Sequence, residues 1–129
     1  MGNIDAVRDW GYAPEYVEGM WRMLQTDSPD DFVLATGEGN SVREFLALAF
    51  DEVGLDWEKY VRFDERYLRP AEVDASVGDP SKAKSVLGWK QQVMLPELVK
   101  IMVAADIKAL ECAGSVWVDQ PQLPGWNTT

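Results

Sequence analysis

The feature that most constrains the fold of this chain is the continuous apolar run Phe32-Val33-Leu34-Ala35, which ends at Thr36. A run of this length between turn residues is typical of a buried β-strand. Because it is apolar on both faces, such a strand needs helices on both sides of its sheet. The chain offers few other strand patterns. We therefore predict that residues 32–36 are a strand of a larger sheet whose other strands are not in this chain.

Helical patterns dominate the rest of the sequence. Apolar residues at helical spacing predict helices over about 14–25, 42–53, 80–87 and 96–110. Alternation predicts a strand at 60–64, and residues 4–12 are interpreted as a short strand or an extended loop. The stretch 65–78 has no clear period and is interpreted as an ordered loop or edge segment. The predicted fold class is α/β, mostly helical, with strands too few to close a sheet of their own.

Local signals mark where several of these elements begin and end. Ser41 and Glu44 stand three residues apart and form a capping-box pattern at a helix start. Gly54 and Gly88 are suited to end the second and third predicted helices. Residues 37–40, between the apolar run and the second helix, predict a turn.

Charge and composition exclude several classes of function. The chain has 12 basic and 22 acidic residues, a net charge of −10, which repels nucleic-acid phosphates and anionic lipid surfaces. It has no histidine and a single cysteine, Cys112, so it has neither a Ser–His or Cys–His pair nor an intrachain disulfide. Its apolar runs are far shorter than a membrane span. We expect a cytoplasmic protein with no nucleic-acid partner, no membrane attachment and no metal.

A search for phosphate loops and catalytic groups in the sequence also fails. The segment Gly37-Glu38-Gly39 lacks the third glycine of a dinucleotide-binding turn and the lysine of a P-loop, and it carries an acid in its middle. The many carboxylates are interpreted as solvated surface or turn acids. No catalytic residue is therefore predicted.

Two segments carry arginines in settings suited to an anion. Arg8 stands beside Asp9 shortly before the first predicted helix, and Arg69 is followed by Pro70 with Glu72 three residues on. Arginine suits bidentate phosphate contacts, and a nearby acid can accept hydrogen bonds from ribose hydroxyls. Two such arginines from distant loops could clamp a diphosphate. The alternative is a pair of structural ion pairs, Arg8–Asp9 and Arg69–Glu72.

The same segments belong to a longer set of motifs that is specific when taken in order. The motifs are GNIDAVRDWGYAPEYVEGMW (2–21), DFVLATGE (31–38), SVREF (41–45), RPAEVD (69–74), GD (78–79), SKAK (81–84) and LGWK (87–90). Over about residues 2–110, the chain resembles the GDP-mannose 4,6-dehydratases, which belong to the extended short-chain dehydrogenase/reductase (SDR) family.

The resemblance implies a function and roles for three residues. The family enzymes are lyases that convert GDP-mannose to GDP-4-keto-6-deoxymannose, on the way to GDP-fucose or GDP-rhamnose, with a tightly held NADP. Arg8 and Arg69 match family arginines expected near the GDP diphosphate. Glu72 matches the acid expected at the ribose. The resemblance therefore implies that GDP-mannose or GDP is the partner of this chain.

The departures from the family pattern limit what the chain is expected to do alone. The family's Gly-rich βα turn and its catalytic Tyr-x-x-x-Lys occur nowhere in the sequence, and Tyr12 stands where many members carry His. We expect residues 1–111 to be the C-terminal, GDP-sugar-binding part of an extended SDR fold without its N-terminal Rossmann sheet. Such a truncated form is expected to be inactive and to bind no NADP alone, with residues 112–129 as a peripheral tail.

A second hypothesis treats the chain as a non-catalytic fragment. In this view it folds by self-association or by pairing with another chain, because an incomplete sheet leaves an open edge and an apolar face. A homo-oligomer is expected.

Overall fold

The computed structural model describes residues 1–67 and 73–113 of the chain, and this part contains a three-stranded sheet. Strand β1 (Val7–Asp9) is the middle strand. It pairs antiparallel with β2 (Gly39–Ser41), with Arg8 opposite Asn40, and parallel with β3 (Ala75–Ser76), with Arg8 opposite Ser76. The sequence allowed either a short strand or an extended loop at residues 4–12, and the structure shows that they contain the central strand.

Five α-helices surround this sheet within the described residues, together with a 3-10 turn at Glu65–Tyr67. The helices are α1 (Ala13–Met23), α2 (Val42–Asp51), α3 (Trp57–Tyr60), α4 (Ser81–Val86) and α5 (Leu95–Ala113). The four helices predicted from apolar spacing are all confirmed, with shifts of a few residues at their ends. Helix α3 was not predicted.

The capping signals are confirmed in detail at α2. The Ser41 hydroxyl accepts a hydrogen bond from the Glu44 backbone N–H at 3.1 Å, and the Glu44 carboxylate accepts one from the Ser41 N–H at 2.6 Å. Gly54 and Gly88 follow α2 and α4 with φ angles of 68° and 61°. This left-handed region is one that glycine adopts without a Cβ clash, so each glycine can turn the chain out of its helix.

The core is built around Trp89, which is only 1% exposed. Its indole N–H donates to the Glu15 carbonyl at 2.7 Å, and its ring lies 5.8 Å from that of Tyr16 in a tilted arrangement. A Cβ added at Gly19 would come within 2.6 Å of a Leu34 methyl carbon, so α1 approaches the chain at residue 34 closely. The other buried apolar side chains among the described residues are Ile4, Ala6, Ala35, Ala83, Leu95, Leu98 and Val99.

The predicted strand at 32–36 is not formed among the described residues. Ala35 and Thr36 are buried, but side chains hold the segment rather than a strand ladder: the Asp9 carboxylate bonds the Thr36 N–H, and the Gln91 amide donates to the Thr36 carbonyl. A strand requires a neighbouring backbone for its ladder. In this part of the chain, β1 already has β2 and β3 as its two neighbours.

The predicted strand at 60–64 is also wrong. Residues 57–60 form α3, because the Asp56 side chain caps that turn by accepting a hydrogen bond from the Glu58 N–H at 3.1 Å. The Tyr60 ring then packs 5.8 Å from Phe50 on α2. Local capping and this aromatic contact outweigh the apolar alternation, which by itself favoured an extended segment.

Two loop predictions need smaller corrections. The turn predicted at 37–40 overlaps β2, whose residues Gly39 and Asn40 pair with Asp9 and Arg8. The stretch 65–78 contains β3, an edge strand, which agrees with the edge alternative for that stretch. Residues 68–72 and 114–129 lie outside the described residues, so the boundary at residue 112 and the peripheral tail stay predictions.

Replacement of Ser41 by alanine tests the cap of α2. Ser41→Ala removes the hydroxyl that accepts the Glu44 N–H, and we expect the free energy of unfolding to fall by about 1 kcal/mol. Urea unfolding followed by circular dichroism measures the change. Ser28→Ala, in an exposed loop, is the matched control and is expected to change stability by less than about 0.5 kcal/mol. Equal stability of the two variants would contradict the role of this cap.

Candidate functional site

Arg8 lies on the central strand and reaches the segment that carries the other predicted site residues. One guanidinium nitrogen, Nη1, donates to the Val7 carbonyl at 2.7 Å and to the Val73 carbonyl at 2.8 Å. Val73 is the residue directly after Glu72 in the sequence. The structure therefore brings Arg8 to the end of the predicted second segment. Arg69 and Glu72 themselves lie outside the described residues, and their roles stay predictions.

The Asp9 carboxylate is held by four donors from two distant stretches of the chain. Its Oδ1 accepts from the Thr36 N–H at 2.8 Å and from the Thr36 hydroxyl at 2.7 Å. Its Oδ2 accepts from the Gly37 N–H at 3.0 Å and from the Gly78 N–H at 3.3 Å. An ion pair with Arg8 was one reading of the sequence, but the structure gives Asp9 these backbone and hydroxyl partners.

These bonds set the charge state of Asp9. Burial by itself raises the pKa of the carboxyl, because it disfavours the charged form. The hydrogen bonds from Thr36, Gly37 and Gly78 favour the ionised carboxylate and together outweigh burial, so the pKa lies below its usual value of 3.8. Asp9 is therefore a carboxylate at neutral pH.

Tyr16 lies close to this carboxylate and stays protonated. Burial raises the pKa of its phenol above the usual value of 10.0, and the negative charges of Asp9 and Glu15 raise it further. A Cβ added at Gly11 would overlap the Tyr16 hydroxyl, so the absence of a side chain at Gly11 makes room for the phenol. Tyr16 thus presents a neutral hydroxyl beside Asp9.

A cavity of about 240 Å³ opens next to these groups. It is lined by Arg8, Asp9, Tyr16, Ser76, Gly78 and residues 33–35. The lining combines a guanidinium, a carboxylate and two hydroxyl groups with the apolar chain at Val33 and Leu34. It can therefore offer hydrogen bonds of both polarities at one wall and apolar contact at the other.

A larger depression of about 580 Å³ lies elsewhere, between the end of α1 and the end of α4. It contains Arg22, but that guanidinium is engaged: Nη1 donates to the Leu87 and Gly88 carbonyls, and Nε and Nη2 donate to Glu18. Arg22 therefore joins α1 to the end of α4. Since its donors serve this junction, the size of the depression does not indicate an anion site.

Several residues of the site could not be identified from sequence. Thr36, Gly37 and Gly78 were assigned only to a strand end, a turn and a loop, although all three donate to Asp9. Gln91 was not singled out, and its amide nitrogen donates to the Thr36 carbonyl. The one sequence signal for this group of residues was Asp9 itself, an acid next to an arginine. That signal does not reveal hydrogen-bond partners that are 27 to 69 residues away in the sequence.

Residues 1–67 and 73–113 contain no group of three or more acidic or cysteine side chains placed to hold a metal ion. Of the helices in those ranges, none combines the length and the apolar character needed to cross a bilayer.

The fold is shared with known nucleotide-sugar enzymes. A UDP-glucose 4-epimerase from Thermotoga maritima, solved with UDP-glucose, aligns with a TM-score of 0.75 and 28% identity, over 85% of this chain and 34% of that one. MoeE5, solved with UDP-glucuronic acid and NAD, aligns with a TM-score of 0.74 and 19% identity, over 84% and 36%. The described part is thus a small α/β unit with a partial extended SDR fold, which confirms the predicted class.

Comparison of sequences gives the family. The model of the GDP-mannose 4,6 dehydratase family matches residues 1–102, so the chain belongs to that family. GDP-mannose 4,6 dehydratase 2 of Arabidopsis thaliana is 57% identical over 96% of this chain, and the human GDP-mannose 4,6 dehydratase is 46% identical over 85%. The alignments cover 34% of each of these relatives, so the chain spans about a third of the length of the curated relatives it matches.

Proposed function

We propose that the chain is the GDP-sugar-binding portion of a GDP-mannose 4,6-dehydratase and that it does not catalyse the dehydration by itself. The observation that carries the proposal is the position of Arg8, whose guanidinium donates to Val73 at the end of the segment that contains Arg69 and Glu72. Family membership supports the same assignment, because the relatives are dehydratases named for GDP-mannose.

The chemistry of the proposed site follows from its residue types. Arg8 and Arg69 would bind the diphosphate oxygens, because a guanidinium presents paired N–H donors that match phosphate geometry. Glu72 would accept hydrogen bonds from the ribose hydroxyls. The net charge of −10 opposes a nucleotide from a distance, but salt screens that field within about 10 Å. Affinity would therefore depend on the local arginines.

The described residues do not fit a dinucleotide cofactor. A pyrophosphate in an SDR-type site would lie against glycine-rich backbone at a helix N-terminus. In this chain the turn before α2 carries Glu38, and the N-terminus of α2 is occupied by the Glu44 carboxylate, which bonds the Ser41 N–H. No step of the proposed function is therefore assigned to NADP on this chain.

GDP binding tests the proposed clamp directly. We expect GDP to bind weakly in isothermal titration calorimetry, and we expect Arg69→Ala to lower the affinity about tenfold, since it removes a charge-assisted contact worth about 1.4 kcal/mol. Arg66→Ala is the matched control, because Arg66 is exposed and pairs with its neighbour Asp64. The control should bind GDP within about twofold of the unaltered chain. Identical affinities of both variants would reject the clamp.

A turnover assay tests the second half of the proposal. With GDP-mannose and NADP, we expect no GDP-4-keto-6-deoxymannose, since the chain contains no Tyr-x-x-x-Lys to exchange a proton with the sugar. Mass spectrometry of the nucleotide sugar would detect the loss of one water. The Arabidopsis thaliana dehydratase 2, assayed in parallel, serves as the positive control. Formation of the keto product by this chain alone would contradict its assignment as a binding portion.

An exposed apolar face on α1 favours a second candidate, a non-catalytic module that associates with another copy of this chain. Val17, Met20, Trp21 and Leu24 recur at helical spacing and are each more than half exposed. Contiguous apolar surface of this kind marks an interaction site. The unpaired segment at 32–36 lies against the same helix, through the Leu34 contact with Gly19.

Light scattering at several protein concentrations tests self-association. If α1 mediates it, the chain is expected to be a dimer at micromolar concentration, and Trp21→Glu should shift it to a monomer by placing a charge in the apolar face. Ser28→Glu adds the same charge in an exposed loop and should leave the dimer intact. A monomer at every concentration would contradict this second candidate and leave the GDP-binding proposal unaffected.

A further inference from the structure

Asp9 and Arg8 are consecutive residues, and together they fasten β1 to the chain that follows residue 72. Arg8 donates to the Val73 carbonyl, the Val7 N–H donates to the Asp74 carbonyl at 2.8 Å, and Asp9 accepts from the Gly78 N–H. Pairing of β1 with β3 lies between these contacts. The Asp9 contact with Gly78 therefore lies at one end of the pairing between β1 and β3, and the Arg8 contact with Val73 lies at the other end.

The same carboxylate also fixes the turn that follows the apolar run. Thr36 contributes two donors and Gly37 one, and Thr36 is only 3% exposed. The Thr36 hydroxyl in turn accepts from the Glu38 N–H at 3.1 Å. One ionised side chain thus orders two stretches that are 27 and 69 residues away from it in the sequence.

We propose that Asp9 is a positioning residue of the GDP site: its carboxylate holds the 36–37 turn and Gly78 against β1, and thereby fixes Arg8 at Val73 before the ligand arrives. This inference rests on the proposed function, since it concerns how Arg8 is presented to GDP. Asp9 itself does not bind the diphosphate, because two negative groups repel each other. Its charge is instead compensated by the dipoles of its four donors.

An amide cannot replace this carboxylate. Each oxygen of Asp9 accepts two hydrogen bonds, so Asp9→Asn keeps the shape of the side chain but puts an NH₂ donor against two donors that need an acceptor. If the amide nitrogen faces Gly37 and Gly78, both backbone N–H groups lose their acceptor; if it faces Thr36, the hydroxyl can turn to accept from it and only the Thr36 N–H loses its acceptor. We call the hydrogen bonds of Asp9 to Thr36, Gly37 and Gly78 the bridge. The substitution therefore tests the bridge without creating a cavity.

The experiment compares the unaltered chain with Asp9→Asn and with Asp106→Asn, which makes the same charge change at an exposed position of α5. Amide hydrogen exchange by NMR reports the bridge without ligand, and calorimetry reports GDP affinity. For Asp9→Asn we expect exchange to accelerate about tenfold at the Thr36 amide or at the Gly37 and Gly78 amides, according to the side that the new nitrogen takes, while the amides of α5 are unchanged, and we expect GDP affinity to fall about tenfold. Asp106→Asn should leave both quantities within about twofold.

A double-mutant cycle separates positioning from general stability. If Asp9 acts through Arg8, Asp9→Asn should weaken GDP binding less in an Arg8→Ala background than in the unaltered chain. If Asp9→Asn does not fold, Thr36→Val and Thr36→Ser give the same comparison, because valine removes one donor to Asp9 and serine restores it. Valine should then weaken GDP binding and serine should retain it.

The outcomes distinguish this inference from the proposed function. Faster exchange with unchanged GDP affinity, or additive effects of Asp9→Asn and Arg8→Ala, would overturn the positioning role. Unchanged exchange at all three amides, Thr36, Gly37 and Gly78, would overturn the bridge itself. Absence of GDP binding by the unaltered chain would contradict the proposed function alone, and the exchange rates would then decide whether Asp9 forms the bridge.

Discussion

The hydrogen bonding of β1 is the constraint on which the rest of the described structure depends. The strand has three residues, too few to be stable as an isolated element, yet it receives β2 on one side and β3 on the other. The Val42 and Arg43 amides donate to the Ala6 and Ile4 carbonyls, so the start of α2 is bound to the chain just before β1. Elements that are distant in sequence thus meet on one short stretch of backbone.

The sequence predicts those parts of the fold whose cause is local. Ser41 and Glu44 specify the start of α2 because their hydrogen bonds span three residues. The interpretation failed at 60–64, where the cap at Asp56 lies just outside the alternating pattern and decides the structure. At 32–36 no strand ladder forms among the described residues, because a strand depends on a partner backbone and the prediction placed the partner strands outside this chain.

The candidate site was predictable only in part, for the same reason. Arg8 could be singled out from its residue type and from the resemblance to a family of nucleotide-sugar enzymes. Its contact with Val73 could not, because the two residues are 65 positions apart. Asp9 was noticed only as a neighbour of Arg8, although its carboxylate accepts four hydrogen bonds from Thr36, Gly37 and Gly78.

The junction at Arg22 has a consequence for the stability of helix α4. Helix α4 has six residues, and a helix of that length is marginal in water because nucleation is costly. Its exposed end is held from outside, by the Arg22 guanidinium of α1 on the Leu87 and Gly88 carbonyls. Part of the stability of helix α4 therefore comes from α1, through this junction.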